Sequence, residues 1–171
     1  MREELDKKLC EKYPEIFRDR NGDMSKTCMV WGFEHGDGWY NIIDSMCARI
    51  QGHIDYSYKQ IEWDKKWNDN VNNPEYEWTA FVERKERHIR EPVAQVVAIQ
   101  VKEKFGSLRF YYNGGDEYIR GIVDMAEEMS FITCDKCGNA GRARGGGWYR
   151  TLCDEHAKEL GYDITDDESH P

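Results

Sequence analysis

Four residues near the C-terminus carry the clearest chemistry in this chain: Cys134 and Cys137, then Cys153 and His156. Two residues lie between the members of each pair, and fifteen separate the pairs. That is the ligand spacing of a closed, four-coordinate zinc site with three thiolates and one imidazole. Ligands three positions apart grip one ion from a single tight turn, and the intervening stretch is long enough for a β-hairpin that returns the second pair. Gly138 lets the backbone turn sharply while its amides approach sulfur. Gly145-Gly146-Gly147 sits where the hairpin tip belongs, and Cys153 opens a short helix through Leu160 that places His156 one turn on. Knuckle, hairpin, helix is the order of a treble-clef finger. With four protein ligands and no vacant position, one structural Zn²⁺ is expected rather than a catalytic one.

Three other segments hold chemistry-bearing groups. The loop Trp31-Gly32-Phe33-Glu34-His35-Gly36-Asp37-Gly38-Trp39 gathers Glu34, His35 and Asp37 between glycines. Such a set suits acid–base work or a divalent ion, or else Asp37 caps the helix that follows and its neighbours are solvated. The segment Lys102 to Tyr112 interleaves Lys102, Lys104 and Arg109 with Phe105, Phe110 and Tyr111 around a turn at Gly106-Ser107. Rings that stack on a base and cations that meet phosphate would suit a nucleotide-like ligand. The alternative is that the rings form one buried face with a charged rim. The finger carries Arg142, Arg144 and Arg150 beside Trp148 and Tyr149, with five basic against four acidic residues from Cys134 to Leu160. That surface suits an anionic ligand or an acidic protein. No P-loop or serine nucleophile elbow is present.

The elements that must position these groups follow from periodicity. A short helix spans 2–13, and Cys28 to Phe33 reads as a strand. Trp39, Ile42, Ile43, Met46, Cys47, Ile50 and Ile54 recur at helical spacing and define a core helix. The polar, aromatic stretch 55–91 resembles an insertion: it either continues that helix and adds a second at 75–88, or forms a long excursion. From Val93 the period is two, with Val97, Ile99 and Val101 on one face; Leu108 to Tyr112 returns as the hairpin partner. Asp116 is placed to cap a helix bearing Ile119, Ile122, Val123, Ala126 and Met129. The expected architecture is α+β: a small core of helices on a hairpin or short antiparallel sheet over 1–132, a zinc finger over 133–161, and a disordered acidic tail over 162–171.

The bulk numbers narrow the function classes. The 171 residues carry a net charge of −9, which disfavours coating of duplex nucleic acid. No apolar run reaches membrane-spanning length, and the N-terminal stretch has no secretory h-region. Metal-type spacing and scattered Cys10, Cys28 and Cys47 point to a reducing, cytoplasmic setting. Oligomer formation is left open.

The loop-helix from Trp31 to Asp44, the hairpin from Lys102 through Gly114-Gly115-Asp116, and the finger from Cys134 to His156 together resemble a family of small proteins encoded by bacteriophages and prophages. The resemblance covers most of the chain outside 55–91, and it implies zinc binding and a viral or prophage setting, with no activity attached. An acidic body with a small basic, aromatic finger suits selective binding better than duplex coating, so the expected function is capture of a host protein or a nucleotide-type ligand, with counter-defence suggested only by analogy with other small phage proteins. The alternative is a metal-dependent hydrolase or nuclease built on Glu34, His35 and Asp37.

Overall fold

The computed structural model describes residues 1–71, 73, 75, 85–145 and 148–162. Most of the expected helix at 75–88, the tip glycines Gly146 and Gly147, and the acidic tail after Tyr162 lie outside the described residues. Helix α1 (Glu3–Lys12) precedes a two-residue strand β1 (Phe33–Glu34) and the long helix α2 (Tyr40–Val71). The hairpin β2 (Val97–Lys104) and β3 (Ser107–Asn113) leads to α3 (Glu117–Ser130), and β4 (Arg142–Arg144), β5 (Arg150–Leu152) and α4 (Asp154–Glu159) close the chain. One sheet has the order β1-β2-β3, and β4 pairs with β5 alone. The fold is α+β with a C-terminal finger.

The apolar stripe of α2 is buried from Trp39 to Ile54, as its spacing predicts. It packs with Leu9 of α1, Ile16, Phe17 and the inner faces of β2, β3 and α3. The helix then continues to Val71, 32 residues in all, or about 48 Å at 1.5 Å per residue. Its distal half is held by polar contacts to the returning chain. The Trp67 indole donates to the Lys85 carbonyl at 2.9 Å, Asn68 brackets Arg87, and Arg87 reaches the buried Asp64 at 3.1 Å. Of the two alternatives for 55–91, continuation of the helix holds through residue 71, while residues 85–88, the described end of the second helix expected at 75–88, are irregular.

Two strand expectations change. Residues 28–33 do not form one strand: the Thr27 hydroxyl accepts the Met29 N–H, Met29–Trp31 closes a 3-10 turn, and only Phe33 and Glu34 pair, parallel to Val101 and Lys102. Along β2 the simple alternation fails at Ile99, where the register slips between Ala98 and Gln100. A bulge reverses which parity faces inward, so Val96 and Ala98 enter the main core before it and Val101 after it.

The outer edge of β3 is covered by α3. Ser130 Oγ accepts the Leu108 N–H at 2.8 Å and the Glu127 carboxylate accepts the Phe110 N–H at 2.9 Å. Asp116 caps α3 by accepting the Ile119 N–H at 3.0 Å. The turn of the β2–β3 hairpin is Phe105-Gly106 rather than Gly106-Ser107, with φ of 54° and 83°. Two consecutive left-handed residues make the tight turn that matches strand twist, a position where asparagine or glycine is usual. Phe105 therefore holds a strained backbone while its ring is 72% exposed. Phe105→Gly is expected to stabilise the fold by about 1 kcal/mol, which thermal unfolding should register as a rise in Tm of about 2–4 °C.

Candidate metal centre and its seam with the core

The four predicted ligands converge. Among the described residues they form the one group of three or more His, Cys, Asp or Glu side chains placed to hold a metal ion, with ligand atoms all within 4.8 Å of each other. Cys137 Sγ lies 3.9 Å from Cys153 Sγ, and His156 Nδ1 lies 3.2 Å from Cys153 Sγ and 3.6 Å from Cys134 Sγ. Tetrahedral bonds near 2.3 Å to sulfur and 2.0 Å to nitrogen put ligand atoms about 3.8 and 3.5 Å apart, so the donor set fits one tetrahedral cation.

Local folding produces this convergence. Cys134 to Gly138 makes the knuckle, where the Gly138 N–H donates to the Cys134 carbonyl at 2.9 Å. Strands β4 and β5 pair from Arg142↔Leu152 to Arg144↔Arg150, and Cys153 stands at the N-cap of α4, one turn before His156. Burial pushes the Cys134 thiol up, but the backbone N–H groups of Cys153, Cys137 and Lys136 aimed at its sulfur outweigh that and bring it down to about 7. Burial moves Cys137 the other way, to about 11. Three adjacent thiolates repel, and a bound divalent charge removes that conflict. The finger's own apolar core is small: Cys134, Leu152 and Ala157. Burial on that scale alone does not offset the ordering of about thirty residues at 1–2 kcal/mol each, and an ion held by the four ligands would add folding free energy of its own.

The loop at 31–39 is the seat of the knuckle. The Gly36 N–H donates to Asp135 Oδ1 at 2.5 Å, the Gly38 N–H to the Asp135 carbonyl at 2.8 Å, and the Trp39 indole to the Thr133 carbonyl at 2.8 Å. A Cβ on Gly36 would overlap Asp135, and one on Gly38 would overlap the Cys134 carbonyl oxygen. Only glycine permits backbones to meet this closely. Across the seam, the Thr151 hydroxyl donates to the Gly106 carbonyl at 2.6 Å and the Trp148 indole to Glu103 at 3.1 Å.

The structure gives each of the other predicted site residues a place and a partner. Asp37 does not cap α2: Gly36 takes the N-cap place of a 3-10 turn, and the Asp37 carboxylate accepts the Arg2 N–H at 2.7 Å and pairs with its guanidinium. Glu34 accepts from Gln100 at 3.1 Å, while His35 is buried and donates through Nδ1 to the Gly36 carbonyl at 2.7 Å. Glu34, His35 and Asp37 thus face three different partners. Arg144, 4% exposed, pairs with Asp154 and is internal to the finger; Arg142 reaches the same carboxylate at 3.5 Å. Arg109 is engaged with Glu127 and the Leu108 carbonyl. Lys102, Lys104, Tyr111 and Trp148 do reach the surface, Lys102 lying over the Tyr111 ring and Lys104 over Phe105.

Residues that the sequence did not single out also shape this region. A cleft of about 460 Å³ opens at the seam, lined by Glu34, His35, Gly36, Glu103, Asp135, Trp148, Arg150 and Tyr162. Farther away, His53 bonds Asp116 at 2.8 Å and packs on Tyr118, in a polar hollow that also includes Asp64 and Arg87. No spacing rule links residues so far apart in the chain. Comparison with protein-family models, curated proteins and solved structures finds no match. Fold and site define an α+β protein whose C-terminal finger, seated on the core, brings together a Cys₃His group that could hold a metal ion.

Chelation is expected to unfold residues 133–162 and, through Trp39, to change the near-ultraviolet circular dichroism of the core. Gly38→Ala should lower stability by about 2 kcal/mol or more, because the core loop and knuckle cannot both keep their backbones. Burial depresses His35 to about 4. The folded state therefore favours the neutral ring, so this contribution is complete above about pH 6.5 and falls away as pH drops toward 4. Denaturant unfolding of the metal-saturated protein between pH 7 and 5 should show a shallower pH slope in His35→Gln.

Proposed function

We propose that this chain is a binding protein whose finger is fastened by one structural Zn²⁺ and whose partner docks at the seam between the finger and the β2–β3 turn. The donor set supports zinc: three thiolates and one imidazole, four-coordinate and closed, suit a tetrahedral borderline-soft cation. The other ring nitrogen of His156, Nε2, faces the Glu159 carboxylate at 3.8 Å. One observation carries the binding reading. Phe105 keeps a costly left-handed backbone and an exposed ring at a turn clamped to the finger, and Trp148, whose indole bonds Glu103 of the same hairpin, is itself 69% exposed. Strain kept at a solvent-facing aromatic favours a recognition role over a packing one.

A bacteriophage or prophage origin, action in the host cytoplasm and use against a host defence protein complete the proposal; their support is the motif resemblance alone. A host protein is favoured over a nucleotide because Arg109 and Arg144, the guanidiniums expected to meet phosphate, are engaged inside the fold. Hydrolysis is the weaker alternative, since Glu34, His35 and Asp37 share no common ligand position.

Metal analysis of the purified chain should give one zinc per molecule; a different metal, or none with the fold intact, overturns the zinc assignment. Zinc-loaded protein immobilised in bacterial lysate should retain a discrete partner. Phe105→Gly and Trp148→Ala should each reduce that retention at least about tenfold, the effect of one hot-spot residue, while Met125→Ala on the far side of α3 leaves it unchanged. Equal retention by all three variants would remove the seam as the binding face.

A further inference from the structure

The seam cleft has a chemical polarity of its own. Its donors already have protein acceptors: the Gly36 N–H and Arg150 on Asp135, the Trp148 indole on Glu103, and the Tyr162 hydroxyl on the Trp148 carbonyl. Its acceptors are in excess. Asp135 is neutralised by Arg150, which leaves the carboxylates of Glu34 and Glu103 as the net charge of the lining. His35 adds a further acceptor. Because its Nδ1 must donate to the Gly36 carbonyl, Nε2 carries a bare lone pair, and that atom is buried without a hydrogen-bond partner among the described residues. A buried polar atom left unpaired costs about 1–3 kcal/mol, and an N–H donor on a ligand would relieve that cost. Trp148 supplies an exposed ring at the rim.

Resting on the seam as the binding face, we propose that this cleft receives an alkylammonium or guanidinium group, with Glu34 and Glu103 meeting its charge, Trp148 covering its stem, and His35 Nε2 accepting one of its N–H bonds. A cation rich in donors answers each unmatched feature at once: two carboxylates, one bare imidazole nitrogen and a π-face. Phosphate answers none of them. The volume of about 460 Å³ suits the end of one basic side chain or a small free amine.

The test uses the zinc-loaded full chain with ¹⁵N-labelled histidine and tryptophan. Titrants are blocked lysine (Nα-acetyl-lysine methylamide), agmatine, the neutral norleucine analogue and inorganic phosphate. The two cations should shift His35 Nε2 and the Trp148 indole saturably, with Kd about millimolar or tighter. Weakening of about tenfold is expected in Trp148→Ala and in the double variant Glu34→Gln, Glu103→Gln, whose side chains keep the hydrogen-bonding shape. Tighter binding by blocked lysine assigns a partner's side chain; tighter binding by agmatine assigns a free amine. A flat response, an equal response to the norleucine analogue, or a stronger one to phosphate overturns the proposal. If the double variant still captures its partner at full strength, the cleft is not the site of recognition, and the seam reading stands without it.

Discussion

One buried aspartate holds the molecule together. Asp135 sits inside the knuckle, next to a metal ligand, and is 2% exposed. Its two carboxylate oxygens take the Gly36 N–H and Arg150, its carbonyl takes the Gly38 N–H, and its own N–H donates to the Thr151 carbonyl. Core loop, metal loop and finger strand thus share a single residue. A charge so far from water is tolerated only when every lone pair is met, which makes the three segments interdependent. The geometry that brings four ligands to one point is the same geometry that seats the finger on the core.

That interdependence explains why some features were legible in the sequence and others were not. Local rules located what local rules govern: the metal ligands by spacing, the α2 stripe by period, the α3 cap by Asp116, the hairpin by alternation. Where a long-range contact decided, they failed. Gly36-Asp37-Gly38 resembles a cap flanked by flexible residues, yet its glycines exist for a backbone almost a hundred residues away. The inward parity of β2 switches at Ile99 because of a bulge that hydropathy does not encode. Arg109 and Arg144 look like surface cations until Glu127 and Asp154 are brought beside them.

The same redistribution changes the character of the finger. In sequence it is slightly basic and aromatic, suited to anions. In three dimensions its arginines bond to carboxylates within the fold, while Glu34 and Glu103 of the core join Trp148 at the opening. Core carboxylates thus line the opening where core and finger meet, the opposite of the basic surface that the finger's sequence suggests.

The remaining three cysteines differ in a way that has practical weight. Cys47 is fully enclosed by the core, and burial beside Asp6 raises the Cys10 thiol to about 12, whereas Cys28 stands in solvent. With the finger's thiolates coordinated, alkylating reagents meet a single reactive sulfur. A fluorophore or spin label attached there would report on the metal-loaded molecule without any cysteine having to be engineered away.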